Sequence, residues 1–335
     1  MKEAKLVIGF ITYGESTAKY LPYFLASLKK QNYNDFKILA IDNSENEDNE
    51  NRKFIKENYP EIDFRWAGKN LGFAKAFNKM IRAAIEMEAE YFLCLNPDII
   101  LDPNAIGELI KKISVDKNIG AVQPKILKWD YESNRKTSII DSLGLVMEKN
   151  FRFYDDRQGE MDDKSEEKKE IFGFTGAAVL LKIEVLKDVV YKDEFFDEMM
   201  FMYKEDCDLS LRMRLAGWKI ILAPDAIVYH DRTAAIIGRN LKDILRSRLN
   251  KSRQVKKWSF LNQWIIILKY INLFSGRIRT ATWRYQIKSL LFILFFEPYL
   301  LGELWKLGKL RKEIKRKKES LKIKVNINKI EKLII

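Results

Sequence analysis

The chain has 335 residues, 47% hydrophobic and 12% aromatic, with two cysteines, one histidine and a net charge of +13. That length and apolar content exclude a disordered chain and suit about two domains. Two cysteines in apolar or helical contexts, Cys94 and Cys207, exclude a disulfide scaffold or a cysteine–histidine metal cluster and fit a reduced cytosolic setting. Charge is split unevenly. Residues 1–231 carry 34 Lys/Arg against 41 Asp/Glu, whereas residues 232–335 carry 26 against 6, a net of +20. An acidic body is thus joined to a basic segment suited to an anionic partner.

The opening MKEAKLVIGFITYG enters a strand pattern directly, without the charged leader, apolar core and cleavage site of a secretory signal. Residues 5–13 (KLVIGFITY) predict a buried strand that ends at Gly14. A helix is expected over 20–30, a second strand over 36–41 ending in Asp42-Asn43-Ser44, and a short third strand over 63–66. The turn from Gly68 to Gly72 precedes a helix expected from Ala74 to about Met87. Residues 91–95 (YFLCL) predict a fourth strand running into Asn96-Pro97-Asp98, followed by a helix from Pro103 and a strand around Ala121-Val122. Strands alternating with helices predict an α/β fold with a mostly parallel sheet, in which ligands bind beyond the carboxyl ends of the strands. Thr12-Tyr13-Gly14, Asp42-Asn43 and Asn96-Pro97-Asp98 all fall at such ends.

Residues 130–170 are the least patterned, and the charged stretch 155–170 is expected to be an exposed loop. In IFGFTGAAVLLK (171–182), Gly173 and Gly176 precede a strand-like run, which predicts close backbone approach there. The segment FFDEMMFMYKEDCDLSLRMRLAGW (195–218) sets Glu205, Asp206 and Asp208 at the start of a helix. Leu209, Met213 and Ala216 form its apolar stripe, Asp208 and Arg212 are i,i+4 partners, and Gly217 supplies the stop. Such acids read either as a well-capped first turn or as a general base with a raised pKa. Strands over 218–223 and 226–229 then lead to His230-Asp231.

From Arg232 onward basic and aromatic residues alternate. The longest apolar run, 290–296, is seven residues stopped by Glu297-Pro298, where a spanning helix needs about 20. Helices of this kind are expected to lie in a membrane interface, with Trp258, Trp264, Trp283 and Trp305 as its aromatics and 306–318 as a polybasic run.

The candidate chemistry sits at the strand ends. Asp98 could hold a divalent cation against nucleotide phosphates, or Asn96-Pro97-Asp98 could be an ordinary turn. His230 reads as a metal ligand or a structural histidine, and Asp42 as a nucleobase acceptor or a turn cap. The turn at Asn70-Leu71-Gly72-Phe73 could offer backbone N–H groups to a phosphate, or simply punctuate a loop-to-helix junction. Walker and GxGxxG motifs are absent, and with one histidine no serine–histidine–acid arrangement can be built.

In this order and spacing, ITYG (11–14), IDNS (41–44), NLGFAKAFN (70–78), LNPDI (95–99), GFTGAAVLL (173–181), the 196–218 segment and YH (229–230) resemble family 2 glycosyltransferases of GT-A fold, specifically the bacterial rhamnosyltransferase-like group. The resemblance covers about residues 5–232. It implies a GT-A domain over 1–232 and a basic, aromatic-rich helical region over 233–335. It also implies inverting transfer of a sugar, rhamnose among the possibilities, from a nucleotide-diphosphate sugar to a glycan or lipid-linked hydroxyl in cell-surface polysaccharide synthesis. Asp206 becomes the catalytic base, and Asp98 and His230 the ligands of Mn²⁺ or Mg²⁺. Thr12, Tyr13, Gly14, Asp42, Asn43, Asn70, Gly72, Phe73, Asn78, Asn96 and Asp98 fall on the donor side, and Gly176, Glu205 and Trp218 on the acceptor side. The basic segment is expected to place the enzyme on the inner face of an anionic membrane, with no nucleic acid as partner. The alternatives are a nucleotidyltransferase, against which the acidic turn Tyr13-Gly14-Glu15-Ser16 stands, and a non-catalytic membrane- or nucleic-acid-binding protein.

Overall fold

In the computed structural model, which describes residues 5–164, 170–232 and 251–335, the first apolar run becomes strand β1 (Leu6–Thr12). It is buried almost throughout, as a β-branched stretch without alternation should be. The elements that follow are α1 (Gly14–Ala18), α2 (Leu21–Lys29), β2 (Phe36–Asp42), α3 (Glu50–Asn58), β3 (Asp63–Trp66), α4 (Gly72–Glu86), β4 (Tyr91–Leu95), β5 (Ile99–Leu101) and α5 (Ala105–Ser114). Next come β6 (Ile119–Asp130), β7 (Arg135–Ser142), β8 (Leu145–Met147), β9 (Phe153–Asp155), β10 (Ala178–Lys182), α6 (Ile183–Asp188), α7 (Glu205–Leu215) and β11 (Lys219–His230). After the undescribed residues come α8 (Arg253–Tyr270), α9 (Gly276–Phe296), α10 (Leu301–Glu319) and α11 (Ile327–Glu331).

One twisted sheet runs in the order β3-β2-β1-β4-β10-β6-β11-β5, with β7 hydrogen-bonded to β6. The pairs β1–β2, β1–β4, β2–β3 and β6–β11 are parallel, as the alternation of strands and helices predicts. β10 is reversed, antiparallel to both β4 and β6. Its first residue, Ala178, pairs with Leu95. The glycine-bearing lead into β10 therefore lies at the carboxyl end of β4, beside Asn96-Pro97-Asp98. β5 pairs antiparallel with β11, which sets Ile99 opposite His230.

Residues 130–164 are more ordered than their charge suggests. β6 continues to Asp130, β7 returns against it, and β8 pairs with β9. The expected exposed loop from 155 instead begins as the end of β9, and its charges find partners: Asp155 with Arg232 at 2.5 Å and Asp162 with Lys125 at 3.2 Å. Residues 165–169 of that stretch lie outside the described residues.

Helix α7 is buried all round. Leu209, Met213 and Ala216 face the core against the sheet, while Cys207, Leu211 and Leu215 face a second core built with Ile265, Ile266, Ile267, Tyr270 and Ile314. It ends where the sequence predicts. Gly217 has φ +89°, Trp218 N–H returns to Met213 O at 2.9 Å, and Gly217 N–H donates to Arg214 O at 3.1 Å. The basic C-terminal helices thus share a core with the α/β body. A buried ionic network reinforces the join. Lys269 contacts Asp197 at 2.7 Å and also Asp208; Lys317 contacts Asp197 at 2.6 Å and Glu194 at 2.5 Å; Arg212 contacts Asp208 at 2.9 Å.

Candidate active site

The acids of α7 part company at its first turn. Asp206 and Asp208 are two residues apart, about 200° around a helix, so they face opposite ways. Asp208 turns to Lys269, Arg212 and the Tyr270 hydroxyl. Asp206 turns to the carboxyl edge of the sheet. Its Oδ2 accepts from Gly176 N–H at 3.0 Å and its Oδ1 from Cys207 N–H at 2.7 Å. Burial pushes its pKa above the ordinary carboxylate value, against the pull of those two amides. Glu205 is more deeply buried, with Oε2 lacking a hydrogen-bond partner, and burial beside Asp206 pushes its pKa well up. Tyr203 and Lys204, which lead into the helix, are both left-handed, at φ +73° and +70°.

A second acidic group assembles at the β4–β5 junction. Asp98 Oδ1 lies 3.3 Å from His230 Nε2, and His230 Nδ1 is 2.8 Å from Asp141 Oδ2. The contact with Asp98 is a close approach of charges rather than an aligned hydrogen bond, because Asp98 Oδ1 accepts none. Burial opposes protonation of His230, but Asp98 and Asp141 outweigh it and push its pKa up to about 10. Asp141 is held below the ordinary range despite its burial, by His230 and the charge of Arg232. Arg232 closes the group, 2.5 Å from Asp155 Oδ2. Asp141, Asp155 and Arg232 are absent from the sequence-derived site. Asp141 lies 89 residues from His230 in the chain, and only the pairing of β7 with β6 brings it there.

This arrangement fits one divalent cation. A buried carboxylate oxygen without a donor faces an imidazole nitrogen whose ring partner is fixed by a second carboxylate, the carboxylate–histidine–metal pattern. Adjacent octahedral ligands at ordinary bond lengths stand about 3 Å apart, close to the Asp98–His230 separation. No cluster of three or more His, Cys, Asp or Glu side chains suited to a metal occurs among the described residues. Such an ion would therefore take further ligands from substrate or water.

The donor-side expectations divide. Thr12 and Asp42 meet at 2.9 Å, and Asp42, fully buried, also accepts from Ser44 and Asn49. Gly14 N–H donates to Ser44 at 2.8 Å, and Tyr13 stays exposed at the same edge. Asn96 N–H donates to Ala177 O at 2.9 Å, beside Asp98. The turn at 70–73 has no free amide among Leu71, Gly72 and Phe73: they donate to Asn43 Oδ1, Asn70 Oδ1 and Phe201 O. These contacts fix the turn to β2 and to the loop before α7 and occupy those three amides. Asn78 is likewise structural, bonded to Phe195, Phe196 and Glu198. On the acceptor side, Gly176 touches both Asp206 and the Phe73 ring, where a Cβ would press on the ring edge. Trp218 is not in the site. It follows the far end of α7, beside Gly120 at the start of β6, and its indole N–H donates to Asp188 at 2.8 Å. Cavities of about 440 and 160 Å³ near Tyr59 and Trp66 include none of the catalytic-edge acids. Convergent chemistry rather than volume therefore locates the site.

Comparison with known proteins agrees with this geometry. Curated rhamnosyltransferases of Mycobacterium tuberculosis, named N-acetylglucosaminyl-diphospho-decaprenol L-rhamnosyltransferase, are 28% identical over 239 residues, which span 66% of this chain and 74% of theirs. Among solved structures, GalNAc-T7 with UDP, GalNAc and Mn²⁺ is similar at a TM-score of 0.54 and 14% identity, over 79% of this chain and 51% of that one. S. aureus TarS gives 0.52 and 15%, over 83% and 50%. The mannosyltransferase PcManGT from Pyrobaculum calidifontis, with GDP-Man and Mn²⁺, gives 0.50 and 13%, over 92% and 75%. The chain thus spans about half the length of the first and of TarS, and all three likenesses establish the fold alone, a GT-A glycosyltransferase fold. Residues 8–190 match Glycosyl transferase family 2. With more than half of its length matched and its acids gathered at the sheet edge this fold uses, the chain belongs to glycosyl transferase family 2 and is a glycosyltransferase.

Proposed function

We propose that this glycosyltransferase moves a sugar, with inversion, from a nucleotide-diphosphate donor to a hydroxyl of a lipid-linked glycan acceptor, with Asp206 as general base. One observation carries the reading. Asp206 is the carboxylate of α7 held at the carboxyl edge by two backbone amides, those of Gly176 and Cys207, and its raised pKa makes it a better proton acceptor. Gly176, at the lead into β10, holds it at the carboxyl end of β4, the end that Asp98 follows. The acceptor hydroxyl attacks the anomeric carbon from the face opposite the diphosphate and passes its proton to Asp206. Asp98 and His230 would hold a divalent cation, Mn²⁺ or Mg²⁺, whose positive charge would offset that of the departing diphosphate. Asp141 fixes the His230 ring and Arg232 adds positive charge to the acidic edge. Rhamnose as the sugar and a diphosphate-linked lipid as acceptor are favoured by the likeness to the mycobacterial rhamnosyltransferase. The test is transfer from a panel of nucleotide-diphosphate sugars, deoxythymidine-diphosphate rhamnose first, to a GlcNAc-diphospho-lipid. Asp206→Asn should lower kcat about 10²–10⁴-fold with donor affinity retained, and near-wild-type turnover would remove Asp206 from the mechanism.

The lipid-linked acceptor calls for a membrane, and we assign that role to the region after residue 232, on the cytoplasmic face. No helix among the described residues is long and apolar enough to cross a bilayer. On α9, however, Trp283, Ile287, Leu291, Leu294 and Phe295 form one exposed stripe at three- and four-residue spacing, with Phe295 75% exposed and Trp305 on α10 79%. Arg277, Arg279, Arg284 and Lys288 on the same helix and Lys306 and Lys309 on α10 are exposed as well. Exposed apolar side chains together with exposed cations suit an anionic lipid interface. Trp258 and Trp264, expected in the same belt, turn inward instead: Trp258 packs on Phe201 and Trp264 is buried.

A further inference from the structure

Helix α8 belongs by composition to the basic segment, yet one of its polar side chains is buried against the loop that carries Asp206. Asn262 donates through its amide to the carbonyls of Met202 at 2.9 Å and Tyr203 at 2.7 Å, and is 1% exposed. One turn earlier the Trp258 ring lies 4.9 Å from that of Phe201, and Phe201 O accepts from Phe73 N–H at 2.8 Å. The loop is therefore held from α4 on one side and α8 on the other. Beyond these ties come Tyr203 and Lys204, consecutive left-handed residues that carry Cβ atoms. That conformation is disfavoured for such residues and persists only where the surroundings impose it. Lys204 gives α7 no side-chain cap, so the direction of the first turn of α7 depends on what holds the two carbonyls before it.

We propose that Asn262 is a positioning residue for sugar transfer, holding the Met202–Tyr203 carbonyls so that the left-handed turn aims Asp206 at the acceptor hydroxyl. The proposal rests on the reading of Asp206 as the base. An amide nitrogen has two N–H groups, and here each has one carbonyl. If either carbonyl swings away, the buried Asn262 amide is left with an unpaired N–H. Gly176 fixes Asp206 from the sheet side and Asn262 fixes the backbone from the opposite side. The basic segment thereby completes the active site as well as covering the body.

The test uses the full chain. Asn262→Asp keeps the shape and replaces both donors with acceptors facing two carbonyls; Asn262→Ala removes them; Asn262→Ser keeps one donor. Folding is checked by circular dichroism and thermal unfolding. The expected order of kcat is wild type, Ser, Ala, Asp, with a loss of about 10–100-fold for Ala, the size of effect a displacement near 1 Å produces. Donor KM stays within about threefold, because the donor side is untouched. Hydrogen exchange at the amides of residues 203–207 should quicken in the Ala and Asp variants. In an Asp206→Asn background, Asn262→Ala should cost nothing further, since the group it positions is gone. Retained kcat with unchanged exchange, a full further loss in that background, or Asp outperforming Ser would overturn the proposal. Full activity of Asp206→Asn alone would instead sink the base assignment, while exchange would still judge whether Asn262 holds the loop.

Discussion

Replacing Lys269 by Met tests how firmly the basic helices are locked to the catalytic body. Lys269 is fully buried and bridges Asp197 at 2.7 Å and Asp208, both also fully buried. Met keeps the length of the chain and removes the charge, leaving two carboxylates with less compensation. Breaking a buried pair from one side typically costs 3–5 kcal/mol. Here the loss is cushioned, because Asp197 keeps Lys317 at 2.6 Å and Asp208 keeps Arg212 at 2.9 Å and Tyr270 at 2.7 Å. We therefore expect the lower end, about 3 kcal/mol. For a chain of this length that is a fall in Tm of about 4 °C. Adding Asp208→Asn removes the surplus negative charge and should recover about half. The pH dependence follows the same charges. Burial alone would raise Asp197, but Lys269 and Lys317 hold it well below the usual carboxylate range. Its contribution is thus present above the unfolded value near 4 and fades as pH falls below it. Lys269, burial notwithstanding, is raised by Asp197 and Asp208, so its contribution is present below about 10.4 and fades above. Wild type should therefore lose its margin over Lys269→Met in strong acid. Urea unfolding at neutral pH is the assay, and a loss under about 1 kcal/mol would refute the locking role.

Calorimetry of donor binding with Mn²⁺ should find Asp98→Ala and His230→Ala each weaker, their combination less than additive because they share one ion, and Asp141→Ala weaker by about 10–100-fold through misorientation of His230. Metal-independent donor affinity in wild type would end the metal assignment. Ile287→Lys with Leu291→Lys should reduce sedimentation with anionic vesicles by about tenfold or more, each buried aliphatic being worth about 1.5–3 kcal/mol; unchanged binding would exonerate α9. Gly72→Ala places a Cβ against the Phe201 carbonyl at φ +73° and should destabilise by about 2 kcal/mol or more in thermal unfolding, where a neutral result would contradict the close approach.

The strand ends were legible because each apolar run stops at a polar group, and the first four strands pair nearly where the runs lie. Asp98 and His230 meet because β4 and β11 send their carboxyl ends the same way, and Asp206 reaches that edge from the first turn of α7 through Gly176. The separation of Asp206 from Asp208 was within reach, since helical rotation alone forbids them a shared face. The reversal of β10 was not, because alternation cannot tell the direction of a strand in a sheet. Asp141, Asp155 and Asn262 were hidden for a common reason. Each is a polar residue whose partner lies 59 to 89 residues away in the chain. In the charged stretch from 155, Glu160, Asp163 and Lys164 are exposed as expected, while Asp155 and Asp162 are drawn in by Arg232 and Lys125.

The ionic network between α7 and the last helices also orders events in time. A chain emerging from the ribosome completes β1 to β4, which pair among themselves, well before β6 can join them through β10. Asp197 and Asp208 emerge next, but the cation Lys317 follows Asp208 by about 110 residues, some 5–20 s at ordinary rates of synthesis. Until Lys269 is made, Asp208 has only Arg212 among its cations, and Asp197, in the loop before the helix, has neither Lys269 nor Lys317. Completion of this network therefore waits on Lys317 rather than on the sheet.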